Sequence, residues 1–180
     1  LDSFTSKGVV GVAWWPNGMK NFTSNEPLDD IAAFADQKFR VMDSNILIEQ
    51  FNALGASAIA LPFGELYTSL QTGVVDGQEN PLDTIQRMKF FEVQDYLVIS
   101  EHGAMEDVVL FNPTWWASLP ADYQVIINDA FDEVVPALIE HKASAVEDAL
   151  DAISASEINI RVASPEERAA FRDVMYDRSV

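Results

Sequence analysis

The chain has 180 residues, 48% of them apolar, which is enough for one good core or one and a half small lobes. Eleven basic residues against 29 acidic ones give a formal net charge of −18, which argues against nucleic acid or anionic lipid as a partner and otherwise serves solubility. There are no cysteines for disulfides, thiolate metal sites or thiol catalysis, and no apolar run of about 18 residues that would embed the chain in a membrane as a helix.

Val9 to Trp15, VVGVAWW, reads as a buried strand, and Pro16-Asn17-Gly18 as the turn after it. Asn25 is placed to cap a helix running through Phe34, with Pro27 tolerated in its first turn. Lys38 to Met42 reads as a second strand, Ser44 to Leu54 as a helix ended by Gly55, and Ser57 to Leu61 as a third strand. This β-α-β-α-β rhythm predicts an α/β fold with a mainly parallel sheet wrapped by helices.

Leu61 to Leu82, LPFGELYTSLQTGVVDGQENPL, is the most informative stretch. Phe63, Leu66, Tyr67 and Leu70 recur at helical spacing, Gly73 ends that helix, and Val74-Val75 start a strand leading into the polar cluster Asp76-Gly77-Gln78-Glu79-Asn80 before Pro81. Ligands of open α/β sheets bind outside the carboxyl ends of strands, where this cluster would sit. Further on, Tyr96 to Ser100 and Val108 to Phe111 read as two strands. Pro120 to about Ile153 reads as one long helix, with a stripe of Tyr123, Ile127, Ala130, Phe131, Val134 and Leu138 and a kink or division expected at Pro136. Its length suggests bridging. Ile158 to Val162 predicts a late strand, and Ser164-Pro165-Glu166-Glu167 a helix start.

Taken with Gly11 to Asn25 (GVAWWPNGMKNFTSN), Lys38-Phe39-Arg40-Val41 and Phe90-Phe91-Glu92-Val93-Gln94, the 61–82 block resembles the extracytoplasmic solute-binding proteins of tripartite ATP-independent periplasmic (TRAP) transporters, the class that includes C4-dicarboxylate and sialic acid binders. The resemblance covers most of the chain. It implies a periplasmic binding protein-like fold with a long helix spanning two lobes. Family members are longer, no basic-then-apolar leader opens this chain, and Leu1 reads as an internal start. Residues 1–180 are therefore expected to be the hinge region and C-terminal lobe of a two-lobed protein whose N-terminal lobe is mostly absent.

Arg40 stands inside the apolar strand pattern Phe39-Arg40-Val41-Met42, where a guanidinium needs an anion or a crevice unless it is an exposed strand-edge residue. Its fork can hold a carboxylate through two parallel hydrogen bonds, and the resemblance places the family's carboxylate-clamping arginine in this strand. By the same resemblance Asn80 meets the ligand's acid group and Phe63 forms part of the pocket wall. Lys20 replaces a second arginine of many family members, keeping the charge without the bidentate geometry. One of Trp14 and Trp15 faces the cleft and the other the core, with Trp15 taken as the ligand-side candidate. Glu79 is expected to act structurally, and Glu65 to cap or pair locally.

His102 and His141 match neither a zinc-protease helix nor a nucleophile elbow. His102 and Glu106 have helical i, i+4 spacing, but Gly103 weakens that helix and no third metal ligand is evident. No metal or other cofactor is expected. The expected function is periplasmic capture of a small organic acid by clamshell closure and its delivery to integral-membrane TRAP transporter subunits, without catalysis. The alternative is an enzyme acting on a carboxylate substrate with Glu65 or Glu79 and His102 as an acid-base pair.

Overall fold

A computed structural model describes residues 1–176 and divides the chain into two compact units, a smaller one of Leu1–Gly18 with Met105–Ala145 and a larger one of Met19–Ala104 with Val146–Val180. Six strands carry the fold: β1 (Val10–Ser24), β2 (Lys38–Val41), β3 (Ser57–Ala60), β4 (Gly77–Pro81), β5 (Tyr96–Phe111) and β6 (Asn159–Val162). The helices are α1 (Asn45–Ala53), α2 (Leu66–Gln71), α3 (Leu82–Arg87), α4 (Pro113–Ser118), α5 (Ala121–Ser154) and α6 (Pro165–Tyr176). Along the chain, β1, β5 and α5 each contribute residues to both units.

The sheet has the order β3-β2-β4-β1-β5-β6. β2 runs parallel to β3 and β4, and β5 parallel to β6, but β1 pairs antiparallel with β4, so the sheet is mixed. Alternation along the strands sends successive side chains into two separate cores. Phe22, Phe39, Val41 and Val98 meet Phe34, α1 through Phe51 and α6 through Phe171. Leu97 and Ile99 pack on the other side with Leu66 and Leu70 of α2, Ile85 of α3, and Ile153 at the end of α5. The first core holds a group of phenylalanines, with Phe22 edge-on to Phe34 at 5.0 Å and to Phe51 at 5.9 Å.

The α/β class and the order of elements in the larger unit agree with the sequence reading, while several local expectations do not. Pro16-Asn17-Gly18 makes no turn, because Gly18 adopts φ +138°, open to glycine, and β1 continues through it. Residues 25–34 yield only a 3-10 turn at Ile31–Phe34, capped by Asp30, whose carboxylate accepts from the Ala33 amide at 3.0 Å. Asn25 caps nothing there, since its side-chain oxygen accepts from Gln94. Val74 and Val75 are not a strand start, because both amides donate to the Ser69 carbonyl after α2, where Gly73 at φ +70° closes the helix as expected. The two strands expected between Tyr96 and Phe111 are one, β5, which puts His102 and Glu106 on a strand. Pro136 does not divide α5, which runs unbroken for 34 residues, roughly 51 Å at 1.5 Å per residue. Its expected stripe is partly right: Ile127, Phe131 and Leu138 are half-buried, but Tyr123, Ala130 and Val134 are exposed. At α6 the predicted start is a capping box, with the Ser164 amide donating to Glu167 and the Glu167 amide to the Ser164 hydroxyl.

The smaller unit differs in kind. Among its described residues only Ala13 is buried, while Trp14, Trp115, Val125, Ile126 and Ile139 are exposed. Local contacts are in place, including Asn112 capping α4 and Phe111 stacked on Trp116 at 5.2 Å, but no core encloses them.

Gly77 opens β4 with no room for a methyl group. A Cβ there would lie 2.5 Å from the Phe39 ring and 2.6 Å from the Thr23 carbonyl oxygen, which is backbone and cannot yield cheaply. Gly77→Ala is therefore expected to destabilise the larger unit by about 1–3 kcal/mol, read as a lower urea midpoint with unchanged slope.

Candidate functional site

The carboxyl ends of the parallel strands β2, β3 and β4 lie at one edge of the larger unit, the position where parallel sheets leave a crevice. A cleft of about 410 Å³ opens there, lined by Arg40, Met42, Asp43, Ala60, Leu61 and Pro62. Arg40 is 4% exposed, and its Nε donates to the Leu61 carbonyl at 3.0 Å. Both terminal guanidinium nitrogens have no hydrogen-bond partner among the described residues. Burial lowers the Arg40 pKa and the Glu79 carboxylate partly offsets this, while an arginine keeps its charge at physiological pH. The result is a buried cation with one edge tied to the backbone and the other free.

Phe63 stands beside it, its ring centre 5.7 Å from the guanidinium carbon and edge-on to Phe90 at 6.1 Å, yet still 41% exposed. Arg40 is in register with Gln78, and Asn80 is two residues further along β4, so Arg40, Gln78 and Asn80 point to the same face of the sheet. Asn80 is buried and donates its amide to Gln78, which donates to Thr23 at 3.0 Å; Thr23 in turn donates to Gln94 at 2.8 Å. This chain of neutral side chains fixes the Asn80 amide. Sequence reasoning missed Gln78 in that role, and it missed Asp43 in the cleft, although both follow from strand alternation and from position at a strand end.

Lys20 is not brought to Arg40. Its register partner is Pro81, and it shares a face with Phe22 and Glu79, opposite to that of Arg40 and Asn80. There its ammonium pairs with Glu79 at 2.6 Å, and the second Glu79 oxygen meets His102 Nε2 at 2.7 Å. His102 Nδ1 lies 2.7 Å from the Ser100 hydroxyl, and the imidazole stacks flat on Phe22 at 3.8 Å. Glu79 is thus structural, as expected. Glu65 makes no cap to α2 and is exposed. Trp15 belongs to the smaller unit, with its ring 6.2 Å from Phe131. Among the described residues no group of three metal-ligating side chains occurs.

Residues 1–178 match the sequence profile described as "Bacterial extracellular solute-binding protein, family 7". The chain belongs to that family. It is 38% identical over 176 residues to the C4-dicarboxylate-binding periplasmic protein DctP of Shewanella loihica, covering 97% of this chain and 52% of that protein. A TRAP periplasmic solute-binding protein from Desulfovibrio salexigens, solved with bound orotic acid, superposes with TM-score 0.96 at 62% identity, over 99% of this chain and 58% of its own. One from Shewanella oneidensis, solved with bound succinate, gives TM-score 0.93 at 38% identity, over 98% and 58%. The family chain thus spans little more than half the length of these relatives, and its fold is theirs over that span.

Glu79 shows what the buried ion cluster does to stability. Burial alone would raise its pKa, but the charge of Lys20 and the bonds from Lys20 and His102 hold it at about 2, below the ordinary 4.5. Its stabilising contribution is complete above about pH 4.5 and is lost as pH falls towards about 2. His102, its pKa lowered from 6.5 by burial first and by Lys20, is favoured neutral in the fold, so stability also begins to fall below pH 6.5. Urea titrations across this range should show both losses on acidification. Glu79→Gln should cost about 3–5 kcal/mol at neutral pH, because Lys20 is left buried and unpaired, and should remove the low-pH loss.

Proposed function

We propose that this chain is the hinge segment and C-terminal lobe of a two-lobed periplasmic protein that captures a small organic carboxylate and delivers it to integral-membrane TRAP transporter subunits. The carrying observation is Arg40, a buried guanidinium whose two terminal nitrogens have no partner among the described residues and border a cleft at parallel strand ends. A carboxylate supplies the acceptors those donors lack, in a planar arrangement that matches the fork. Because Nε is held by the Leu61 carbonyl, the acid group is received through the outer edge of the guanidinium. Asn80 adds a fixed amide on the same face and Phe63 an exposed ring for the ligand's flank. Lys20 acts one layer away, holding Glu79 and with it β4.

The relatives support this reading. Orotic acid and succinate, bound in the two solved TRAP proteins, and the C4-dicarboxylates of the Shewanella loihica protein's name are all carboxylates. A second lobe is supported by the smaller unit, which buries only Ala13 among its described residues and exposes aromatic and branched side chains that a further packed segment would cover. Closure of two lobes around the acid then completes the site.

One observation favours the rival enzyme, the 2.7 Å contact between Glu79 and His102. Both side chains are sealed from solvent and both Glu79 oxygens are already bonded, so the pair has no route to a substrate. Calorimetry of the full two-lobed protein with a panel of organic acids tests the proposal. Stoichiometric binding without product is expected, together with at least a hundredfold weaker binding for Arg40→Gln and a partial loss for Arg40→Lys, about 1.4 kcal/mol for each tenfold. Product accumulating at substoichiometric protein would favour the enzyme instead, and unchanged affinity in Arg40→Gln would overturn the site.

A further inference from the structure

Arg40 is not the only charged side chain on the cleft. Asp43 lies in the loop between β2 and α1, three residues after Arg40, and lines the same cavity of about 410 Å³. Its carboxylate has no hydrogen-bond or ion-pair partner among the described residues, and it is exposed. Met42, Ala60, Leu61 and Pro62 supply the rest of the lining, none with a polar side chain. The cavity is therefore lined by one cationic donor group and one anionic acceptor group, and the rest of its lining is apolar.

We infer that Asp43 is a specificity-determining residue, selecting monocarboxylates that carry an N–H or O–H donor and disfavouring dicarboxylates. This rests on the carboxylate-capture reading above and deepens it. A ligand whose acid group meets the outer edge of Arg40 extends along the apolar wall towards Asp43. A second carboxylate there meets like charge, and no cation besides Arg40 is among the residues lining the cleft; Lys20 of β1 is turned to the opposite face of the sheet and neutralised by Glu79. A ring N–H or a hydroxyl instead donates to Asp43, a charge-assisted bond in a partly enclosed site. Discrimination then comes from one repulsive and one attractive element acting at the same residue.

Three probes separate these contributions. Orotate carries one carboxylate and ring N–H donors, 1,3-dimethylorotate keeps the ring and acid without those donors, and succinate carries a second carboxylate. Titration calorimetry on the full two-lobed protein is expected to rank orotate at least about tenfold tighter than both others. In Asp43→Asn the succinate affinity should rise and the orotate affinity fall, narrowing their ratio at least about fivefold, with the thermal midpoint unchanged because Asp43 holds no structural bond. If the ratio stays within about twofold in Asp43→Asn, or if wild type prefers succinate, the assignment of Asp43 is overturned. Arg40→Gln separates the two readings: loss of all binding there, beside an unmoved ratio in Asp43→Asn, leaves carboxylate capture standing and removes only the selectivity. Absence of binding by every acid to the wild type, or unchanged binding in Arg40→Gln, removes both.

Discussion

A guanidinium buried within a strand is the constraint on which the rest of the site depends. Arg40 sits 4% exposed beside Phe39 and Val41, two of the residues that build the aromatic core, yet alternation turns it to the other face of the sheet. A charge so placed is costly unless its hydrogen-bonding capacity is used. The protein uses only part of it, through the Leu61 carbonyl, which also fixes the direction of the planar group. The remaining donors are the ones the proposed carboxylate would use, and the bond from Nε holds the planar group in place beforehand, which would lower the ordering cost of binding.

The sheet also keeps two buried charged systems apart. On one face Lys20, Glu79 and His102 form a closed cluster in which every charged group has its counterpart. On the other, Arg40 has no acidic side chain bonded to it among the described residues, and Asp43, in the loop after β2, lines the same cleft unpaired. Glu79 and Asn80 are neighbours in β4, so the strand held from behind by an ion pair presents a neutral amide in front. Had Glu79 faced the cleft, it would have neutralised Arg40 internally. One residue of register decides which face of β4 carries the carboxylate and which the amide.

The two units have different energetic standing. The larger one has two aromatic and aliphatic cores, one on each side of its sheet. The smaller one has well-formed local structure, with α4 capped by Asn112 and the rings of Phe111, Trp115 and Trp116 clustered, but its apolar side chains enclose almost nothing. β1, β5 and α5 each contribute residues to both units.

How much was legible in advance follows from the range of the forces involved. Apolar periodicity and helix-stop glycines report local energetics, so β2, α1, β3, the α2 helix ended at Gly73, the long α5 and the capped start of α6 could all be read from the chain. So could Arg40, because a charge in an apolar strand is anomalous wherever that strand lies. The reading of Pro16-Asn17-Gly18 as a turn failed because sheet pairing outweighs turn propensity once a neighbouring strand is present, and the 25–29 segment failed as helix because its polar groups are claimed by distant partners such as Gln94. Lys20 was grouped with Arg40 through the family resemblance, as the replacement of a second arginine, whereas register turns it to the opposite face and onto Glu79. By itself the sequence determined which elements form in the larger unit and that a cation stands within one of its strands; only the tertiary structure decided which face each polar residue takes and which other charge it meets. Those outcomes depend on strand order and register between segments as far apart as residues 20, 40 and 79, and no local pattern encodes that long-range pairing.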